Sequence, residues 1–497
     1  MEQYSNVNLS FNGLTKIYAI ADTHQETRKT AAFLSKILKD CQKDKNVLLL
    51  HSGDIYKGIY PRELERDCYV KMKEANPDIE MVMTVGNNDF GFNVEGFNYL
   101  VDTIKEFYSK GIRTVCANIF EKGGKRPDWL KPYTIVERDG DKNFITGFCI
   151  DKLGNQGENG IVPKNQKEVI DELIQAIKRE KPDNVIILNH DYMPSSQELV
   201  NYCKEKGINV DLVIGGHDHL PVVPNNELHI YHPQAYAESM YKMNLVNKNG
   251  KKELKDIEVI GSEELNLNDN FAEPIESYEK ESGLLDNIGV RILNLTKDYS
   301  NPCPLGSFLA DSMKETANAD IGFFSTGFIL RPLKYEKGLG ITNYDFKKTM
   351  VAETPIKTVE LTAKDLKEVF ENALKSRGYG SSNPKFLQCS NNVKIIGKDN
   401  PEKQCYEIKQ ILIDNIPILD TNGNPIMTSK KYTCAIDSYI AEGGQGFAIL
   451  KEKEKQNVII NNQAIKINEV LQNALKEAPQ KYPEGSEYPN YVIENCI

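Results

Sequence analysis

Long apolar runs, paired cysteines and an excess of positive charge are all missing from this sequence of 497 residues. No apolar run is long enough to span a bilayer, and the opening MEQYSNVNLSFNGLTK contains no apolar signal region. The net charge of −10 argues against a general nucleic-acid or membrane-surface binder, because such surfaces need clustered Lys and Arg. We therefore expect neither a nucleic-acid polymer nor a membrane among the partners.

The ten cysteines are widely spaced and form no CxxC pair, so they match neither a structural zinc site nor a redox motif. We interpret most of them as small buried hydrophobes with reduced thiols. This predicts a cytoplasmic protein as the sequence stands. A secreted or periplasmic protein that had lost its leader would have the same sequence, and the oligomeric state is left open.

The chain is longer than one hydrophobic core usually supports, and its 40% apolar and 27% charged residues are typical of soluble globular proteins. We expect a first domain over 1–260, an acidic linker over 261–286 and a second domain over 287–475. The remaining residues, 476–497, are rich in Pro and Tyr and predict an extended tail.

Short apolar runs alternate with segments of helical periodicity in the first half of the chain. The runs are KIYAIA (16–21), NVLLLH (46–51), MVMTV (81–85), RTVCA (113–117), NVIILN (184–189) and DLVIGG (211–216). This alternation is typical of βαβ units around a sheet that is buried on both faces. The second half also combines helical and strand patterns, so both domains are predicted to be α/β.

Side chains that bind metals follow directly after five of these apolar runs. They are Asp22, His24, Asp54, Asn87, His190, His217 and His219. A single such residue after a strand is more often a cap, but four of the seven histidines occupy these positions. Loops at the carboxyl ends of parallel strands line one crevice, so these side chains can converge. Their number suits two divalent ions about 4 Å apart that share one carboxylate; Mn, Zn, Fe, Mg or Ca would fit.

With these motifs the first half resembles the calcineurin-like metallophosphatase family, and the whole chain resembles its 5′-nucleotidase branch. The resemblance implies a four-layer β-sandwich flanked by helices, followed by a second α/β domain that binds substrate. It also implies one ion on Asp22, His24, Asp54 and His219, and a second ion on Asp54, Asn87, His190 and His217. Asp54 would bridge the two ions. The implied reaction is attack of a metal-bound hydroxide on a nucleotide-type phosphate ester.

The second domain resembles that of the nucleotidases in four segments. These are L-G-S-F-L-A-D (305–311), T-G-F-I-L-R (326–331), F-L-Q (386–388) and E-G-G-Q-G-F (442–447). The resemblance implies that Phe386 and Phe447 stack on the base, that Arg331 binds the phosphate as a catalytic residue, and that Glu452 contacts the ribose. The alternative for each is ordinary packing or a solvated surface. The segment V-A-E-T-P (351–355) departs from the family pattern and brings an acid, Glu353, near the expected phosphate site.

Asn88 occupies the position where the family has a catalytic histidine in G-N-H-E-x-D, and Gly91 replaces the aspartate that supports it. Asparagine can donate only a hydrogen bond, and general-acid help is worth ~10²–10⁴ in rate. We therefore expect a hydrolase with an altered leaving-group preference, in which His232 is a candidate substitute acid. The alternatives are a phosphodiesterase for cyclic nucleotides or nucleotide sugars, or a catalytically impaired nucleotide-binding protein.

Overall fold

The computed structural model describes the chain in stretches separated by short gaps. The described residues are 14–42, 46–91, 93–151, 153, 160–219, 222–248, 251–350, 352–375, 385–400, 402 and 405–495. The chain divides into two compact units, Met1–Tyr278 and Glu279–Ile497. The division falls in the stretch that was predicted to be a linker. The domain limits proposed from the sequence stay predictions.

The first unit alternates strands and helices along the chain. Its strands are β1 (Leu14–Ile20), β2 (Val47–His51), β3 (Glu80–Met83), β4 (Ile112–Thr114), β5 (Ile119–Glu121), β6 (Tyr133–Arg138), β7 (Asp141–Cys149), β8 (Ile161–Pro163), β9 (Asn184–His190), β10 (Leu212–Gly215), β11 (Ile230–Tyr231), β12 (Ser239–Lys248) and β13 (Lys251–Gly261). Its helices are α1 (Thr27–Cys41), α2 (Arg62–Ala75), α3 (Val94–Ser109), α4 (Gln166–Glu180) and α5 (Met193–Glu205), and α6 (Asp269–Glu281) spans the division between the units.

Helix α4 shows how the local sequence produces these elements. The side chain of Asn165 accepts a hydrogen bond from the backbone N–H of Lys167 and so caps the helix. Apolar residues recur every three or four positions, which places Val169, Leu173 and Ile177 on one buried face. The polar residues between them remain in water.

Two sheets pack face to face in the first unit. One has six strands in the order β13-β12-β1-β2-β3-β4, and the other has five in the order β11-β10-β9-β7-β6. Both sheets contribute to the core between them, through side chains that include Ile17, Leu48, Val82, Ile145, Ile186, Leu188, Leu212 and Ile214. Successive side chains of a strand point to opposite faces of its sheet. Each sheet therefore also has an outer face, which must be covered by other elements.

Helices cover those outer faces. The phenol of Tyr18, on the outer face of β1, donates a hydrogen bond to Asp40 of α1. Helices α4 and α5 pack on the other sheet through a cluster that includes Ile170, Leu199 and Val213. The predicted four-layer sandwich is thereby confirmed. None of the helices in the described stretches has the length and apolarity that crossing a bilayer requires.

The second unit is also α/β. Its strands are β14 (Asn287–Val290), β15 (Leu293–Asn294), β16 (Ile321–Ser325), β17 (Gly340–Thr342), β18 (Ile356–Thr362), β19 (Leu387–Cys389), β20 (Val393–Asn400), β21 (Cys405–Ile413), β22 (Ile416–Pro417), β23 (Lys431–Asp437), β24 (Lys455–Asn457), β25 (Ile459–Ile460), β26 (Gln463–Ala464), β27 (Ser486–Glu487) and β28 (Val492–Asn495). Its helices are α7 (Pro304–Ala317), α8 (Asn343–Thr349), α9 (Ala363–Leu374), α10 (Ser438–Ala441), α11 (Ala448–Lys451) and α12 (Ile467–Lys481).

A five-stranded sheet, β19-β16-β23-β18-β24, forms the centre of this unit. Helix α9 begins at a capping box in which Thr362 and Asp365 bond each other's backbone N–H. Its apolar face, with Leu366 and Phe370, packs in a core shared by this sheet and the sheet β22-β21-β20-β28. Helices α7 and α12 cover the opposite face.

The carboxyl-terminal stretch differs from the extended tail expected for 476–497. Helix α12 continues to Lys481 because its buried stripe, Leu471, Leu475 and Ala478, keeps helical spacing. Strand β28 then pairs in parallel with β20, with Val492 opposite Lys394. The Pro and Tyr content of this stretch is therefore compatible with regular structure.

The candidate metal centre

Five loops of the first unit carry the predicted ligands to one edge of the sandwich. Strands β1, β2 and β3 are parallel neighbours, as are β9 and β10. Asp22 and His24 follow β1, Asp54 follows β2, Asn87 follows β3, His190 ends β9, and His217 and His219 follow β10. Because each residue lies at the carboxyl end of its strand, residues almost 200 positions apart in sequence meet in space.

The backbone at these positions is unusual. Five of the seven predicted ligands adopt a positive φ: Asp22 (49°), His24 (47°), Asp54 (55°), His217 (75°) and His219 (54°). Side chains with a Cβ rarely occupy this left-handed region, and each such residue costs on the order of 1–3 kcal/mol. The sharp turns aim adjacent side chains inward, which is the geometry that a compact site requires.

The side chains form two groups that share Asp54. In the first, ligand atoms of Asp22, His24, Asp54 and His219 lie within 4.8 Å of one another. His24 Nε2 is 2.9 Å from His219 Nε2, and His219 Nε2 is 3.3 Å from Asp22 Oδ1. Two imidazole nitrogens this close are the arrangement expected of ligands to one cation.

The second group contains Asp54, His190 and His217. His190 Nε2 lies 3.3 Å from Asp54 Oδ2 and 3.2 Å from Asn87 Oδ1. The structure thus brings all seven predicted residues together. Glycines make this approach possible, because a Cβ on Gly86 would overlap the Asp54 carboxylate and one on Gly216 would lie 2.9 Å from Asp22 Oδ2.

Backbone carbonyls set the orientation of two imidazoles. His190 Nδ1 lies 2.7 Å from the carbonyl oxygen of Ser52, and His24 Nδ1 lies 3.1 Å from that of Tyr56. A carbonyl can only accept, so each Nδ1 carries a proton and each Nε2 faces the site. Both rings are therefore already oriented as metal ligands.

The electrostatics of the site fit divalent cations. Asp22 and Asp54 are both buried, and two buried carboxylates side by side are costly unless positive charge compensates them. Burial opposes ionisation of Asp54, but neighbouring His190 and His24 hold the pKa of that carboxyl well below its usual range. Burial would lower the pKa of His190, yet the carboxylates of Asp54 and Asp22 raise it to about 10. A metal ion must displace that proton.

Asp89 is a residue of the candidate site that the sequence analysis did not identify. Its buried carboxylate accepts hydrogen bonds from the backbone N–H groups of Asp54 (2.9 Å), Ile55 (2.8 Å), Tyr56 (3.0 Å) and Gly86 (2.8 Å). One side chain therefore fastens the loop after β2 to the loop after β3. The sequence signal was its place directly after Asn87 and Asn88, at the acidic position of the G-N-H-E-x-D pattern.

Asn88 is bound to the shared carboxylate from two sides. Its backbone N–H donates to Asp54 Oδ1 (2.8 Å) and its side-chain Nδ2 donates to Asp54 Oδ2 (2.6 Å). Its Oδ1 accepts a hydrogen bond from Lys57 Nζ (3.0 Å), a second residue that the sequence analysis did not identify. Partial burial of the ammonium group lowers the pKa of Lys57, against the opposing effect of Asp54.

His232 does not fit the role of substitute acid that we predicted for it. Its side chain is 2% exposed, and its Nδ1 lies 2.8 Å from Asp218 Oδ2. The ring packs directly against Gly215, where an added Cβ would overlap it. A ring enclosed in this way has no open path to a departing group, so we interpret His232 as a packing residue.

The two predicted base-stacking rings lie in the hydrophobic core of the second unit. Phe386 is 0% exposed and Phe447 is 1% exposed, and both belong to the cluster around α9. The ring of Phe386 is 6.4 Å from that of Tyr491. Phe447 borders a surface pocket of about 670 Å³ without exposing its ring. A base cannot stack on a ring that has no exposed face, so this arrangement argues against the predicted role.

Arg331 is partly exposed and lines a small pocket of about 240 Å³ with Arg291 and Lys348. The cationic side chains outnumber the acid there, Asp345, whose Oδ1 is 2.9 Å from Arg291. This makes the pocket suitable for an anion. Its relation to a phosphate stays a prediction.

The two predicted acids of the second unit are exposed. Glu452 lies at the end of α11 on the surface, and its contact with a ribose stays a prediction. Glu353 Oε2 is 3.7 Å from Lys466 Nζ, so that lysine offsets part of its charge. The neighbouring Val351 of the V-A-E-T-P segment lies outside the described residues.

Comparisons with known proteins cover both units. Residues 15–221 match the calcineurin-like phosphoesterase family, and residues 283–452 match the 5′-nucleotidase C-terminal domain. A 5′-nucleotidase of Diplobatis ommata is 24% identical over 493 residues, covering 87% of this chain and 82% of that protein. An apyrase of Aedes albopictus is 24% identical over 503 residues, covering 90% of this chain and 84% of that protein.

A solved structure has the same fold. The 5′-nucleotidase precursor from Thermus thermophilus superposes with a TM-score of 0.67 at 16% sequence identity. The match covers 97% of this chain and 99% of that one. At this identity the similarity establishes the architecture and leaves the chemistry to be argued from the residues.

Proposed function

Since the chain belongs to the calcineurin-like phosphoesterases with a 5′-nucleotidase C-terminal domain and is thus a metal-dependent hydrolase, we propose that it cleaves a nucleotide-type phosphate ester at a centre of two divalent ions. The observation that carries this proposal is the position of Asp54. Its carboxylate belongs to both ligand groups, and a shared carboxylate is the usual bridge in a two-metal phosphatase.

The proposed ligand sets follow the two groups. One ion would be held by Asp22, His24, Asp54 and His219, and the other by Asp54 together with Asn87, His190 and His217. Two bound ions would supply Lewis-acid charge and a water nucleophile of lowered pKa. Their native identity is left open among Mn, Zn, Fe, Mg and Ca, because mixed oxygen and nitrogen ligands suit several of these.

The chain's own residues would do the positioning. Asp89 holds two of the ligand loops by their backbone, and the Ser52 and Tyr56 carbonyls orient two imidazoles. In the second unit we propose Arg331 as the phosphate-binding donor, since a guanidinium binds phosphate oxygens with two parallel hydrogen bonds. The nucleotide substrate is proposed from the names of the relatives, which include 5′-nucleotidases and apyrases.

Asn88 favours a second candidate function. An amide cannot protonate a departing alkoxide, so an ester with a better leaving group, such as an activated phosphodiester, would react more readily. This supports a phosphodiesterase acting on nucleotide sugars, whose leaving group is a phosphate. Cyclic nucleotides are the other diester substrates, although they release a sugar alkoxide as AMP does. A protein that binds nucleotide without turning it over is the third possibility.

A substrate panel distinguishes these functions. Purified protein reconstituted with Mn is assayed on AMP, a 2′,3′-cyclic nucleotide, a nucleotide sugar and an activated aryl phosphodiester. The proposed function predicts release of inorganic phosphate from AMP that a chelator abolishes and added Mn restores. Turnover of diesters alone would favour the phosphodiesterase. Nucleotide binding without any turnover would leave only the binding protein.

A further inference from the structure

Both neighbours of Lys57 in the chain are bound to other loops of the site. The backbone N–H of Tyr56 donates to Asp89 Oδ1 (3.0 Å), and that of Gly58 donates to Gln25 Oε1 (2.8 Å). Gly58 also packs so closely on the loop after β1 that a Cβ there would overlap the carbonyl of His24. The residues on both sides of Lys57 are therefore fixed to the metal-binding loops.

The backbone of Lys57 is itself in the left-handed region, with φ of 75°. A lysine pays a steric cost there that glycine would avoid. A non-glycine residue held in this conformation beside a reactive site is a recognised mark of functional constraint. The turn directs the side chain toward Asn88 rather than away from the centre.

The ammonium group of Lys57 is linked to the shared carboxylate through one side chain. Lys57 Nζ donates to Asn88 Oδ1 (3.0 Å), and Asn88 Nδ2 donates to Asp54 Oδ2 (2.6 Å). The two ends of the Asn88 amide are thus both committed, one to the metal bridge and one to the lysine. Asn88 holds a positive charge where the family has its catalytic histidine.

From this geometry we infer that Lys57 donates the hydrogen bond and positive charge that stabilise the departing oxygen of the ester, and that Asn88 positions its ammonium group. The inference rests on the proposed phosphoesterase function and adds a residue to it. In the step, a water oxygen bonds to phosphorus while the bond from phosphorus to the leaving oxygen breaks. The leaving oxygen keeps that electron pair and receives one proton of the consumed water. Lys57 stays an ammonium ion throughout.

The test compares two leaving groups in the full, Mn-reconstituted chain. Removing one preorganised donor typically costs about 10²–10³ in rate. We expect Lys57→Ala to lower kcat/KM on AMP by about that factor. On p-nitrophenyl phosphate, whose leaving group needs little help, the loss should stay below about tenfold. Lys57→Arg, which restores a charged donor, should recover part of the AMP rate, and so should added ethylammonium in Lys57→Ala.

A binding measurement tests the contact without turnover. Titration with inorganic phosphate should show affinity about tenfold weaker in Lys57→Ala, because a hydrogen bond from a charged donor is lost. Metal content should stay at the wild-type value. The matched control is Lys167→Ala, an exposed lysine on α4 that pairs with Glu198, which should change neither quantity.

The possible failures can be told apart. Equal loss on both esters, unchanged rates, or loss of metal in Lys57→Ala would overturn the role of Lys57 while wild-type hydrolysis still supports the proposed function. A wild-type protein that binds Mn but cleaves none of the esters would overturn the proposed function, and this inference with it.

Discussion

The same kind of sequence reasoning gave different results for the candidate metal centre of the first unit and for the predicted base site of the second unit. In the first, a polar residue directly after a parallel strand is fixed in space by the sheet, so Asp22, Asp54 and His190 meet. In the second, Phe386 and Phe447 lie near loops, and nothing local decides whether a ring faces solvent or core. Both face the core. The sequence predicts which side chains meet only where the secondary structure determines the direction in which they point.

Among the changes to the candidate metal centre, we expect replacement of Asp54 to have the largest effect. Asp54→Asn removes the one charge common to both ligand groups, and metals supply several kcal/mol to the transition state. We expect hydrolysis to fall by at least about 10³-fold, with metal content below that of the wild type by elemental analysis. Asp102→Asn, an exposed residue on α3, is the control. Full activity in Asp54→Asn would contradict the shared-ligand arrangement.

Phe386→Ala tests whether this ring of the second unit packs in the core or stacks on a base. Truncating a buried phenylalanine typically costs about 3–5 kcal/mol of stability, so the free energy of unfolding in urea should drop by that amount. If Phe386 instead stacks on a base, stability would hardly change while nucleotide affinity would fall by about 1–3 kcal/mol. Measuring both quantities on the same variant decides between core packing and base stacking.

Asp89→Asn weakens the hydrogen bonds that support the site and leaves all of the predicted metal ligands in place. Asparagine retains one acceptor oxygen where the carboxylate serves four backbone donors. We expect roughly 2–3 kcal/mol of destabilisation and metal affinity about 10–100-fold weaker. Calorimetric Mn titration and urea unfolding measure these effects. Wild-type affinity in the variant would show that the loops hold their shape without this carboxylate.

We expect the smallest of these effects from Glu65, and it is a dependence of the free energy of unfolding on pH. It is 0% exposed, and burial raises its pKa to about 7 from the ordinary value of 4.5. A folded pKa above the unfolded one means stability that is full below pH 4.5 and declines as pH rises through 7. Between pH 5 and 7 the contribution of Glu65 should lower the free energy of unfolding of the metal-free protein, measured in urea, by about 2 kcal/mol. Glu65→Gln should flatten that slope, and an unchanged slope would assign it to another group.

Much of the fold was readable from the sequence because apolar runs and helical periods are local signals. The residues missed at the site share a different property: they act on backbone atoms or on another side chain. Asp89 binds backbone N–H groups of the loop after β2, and Lys57 contacts an amide 31 positions away. Asp89 stands at the acidic position of the G-N-H-E-x-D pattern, but that pattern does not reveal that its carboxylate binds backbone N–H groups. Lys57 belongs to no motif, because any loop could supply such a donor. The helix beyond residue 475 was likewise concealed by prolines and tyrosines that suggest irregular chain.

The four hydrogen bonds that Asp89 accepts have a consequence for how the protein would acquire metal ions. Because they join the loops through main-chain atoms rather than through ligands, we expect the ligand loops to keep their form whether or not ions are bound. Folding and metal binding would then be separate events, and a bound ion would be exchangeable in the folded protein. The identity of the bound ion would then depend on which divalent ions are available in the surroundings of the protein.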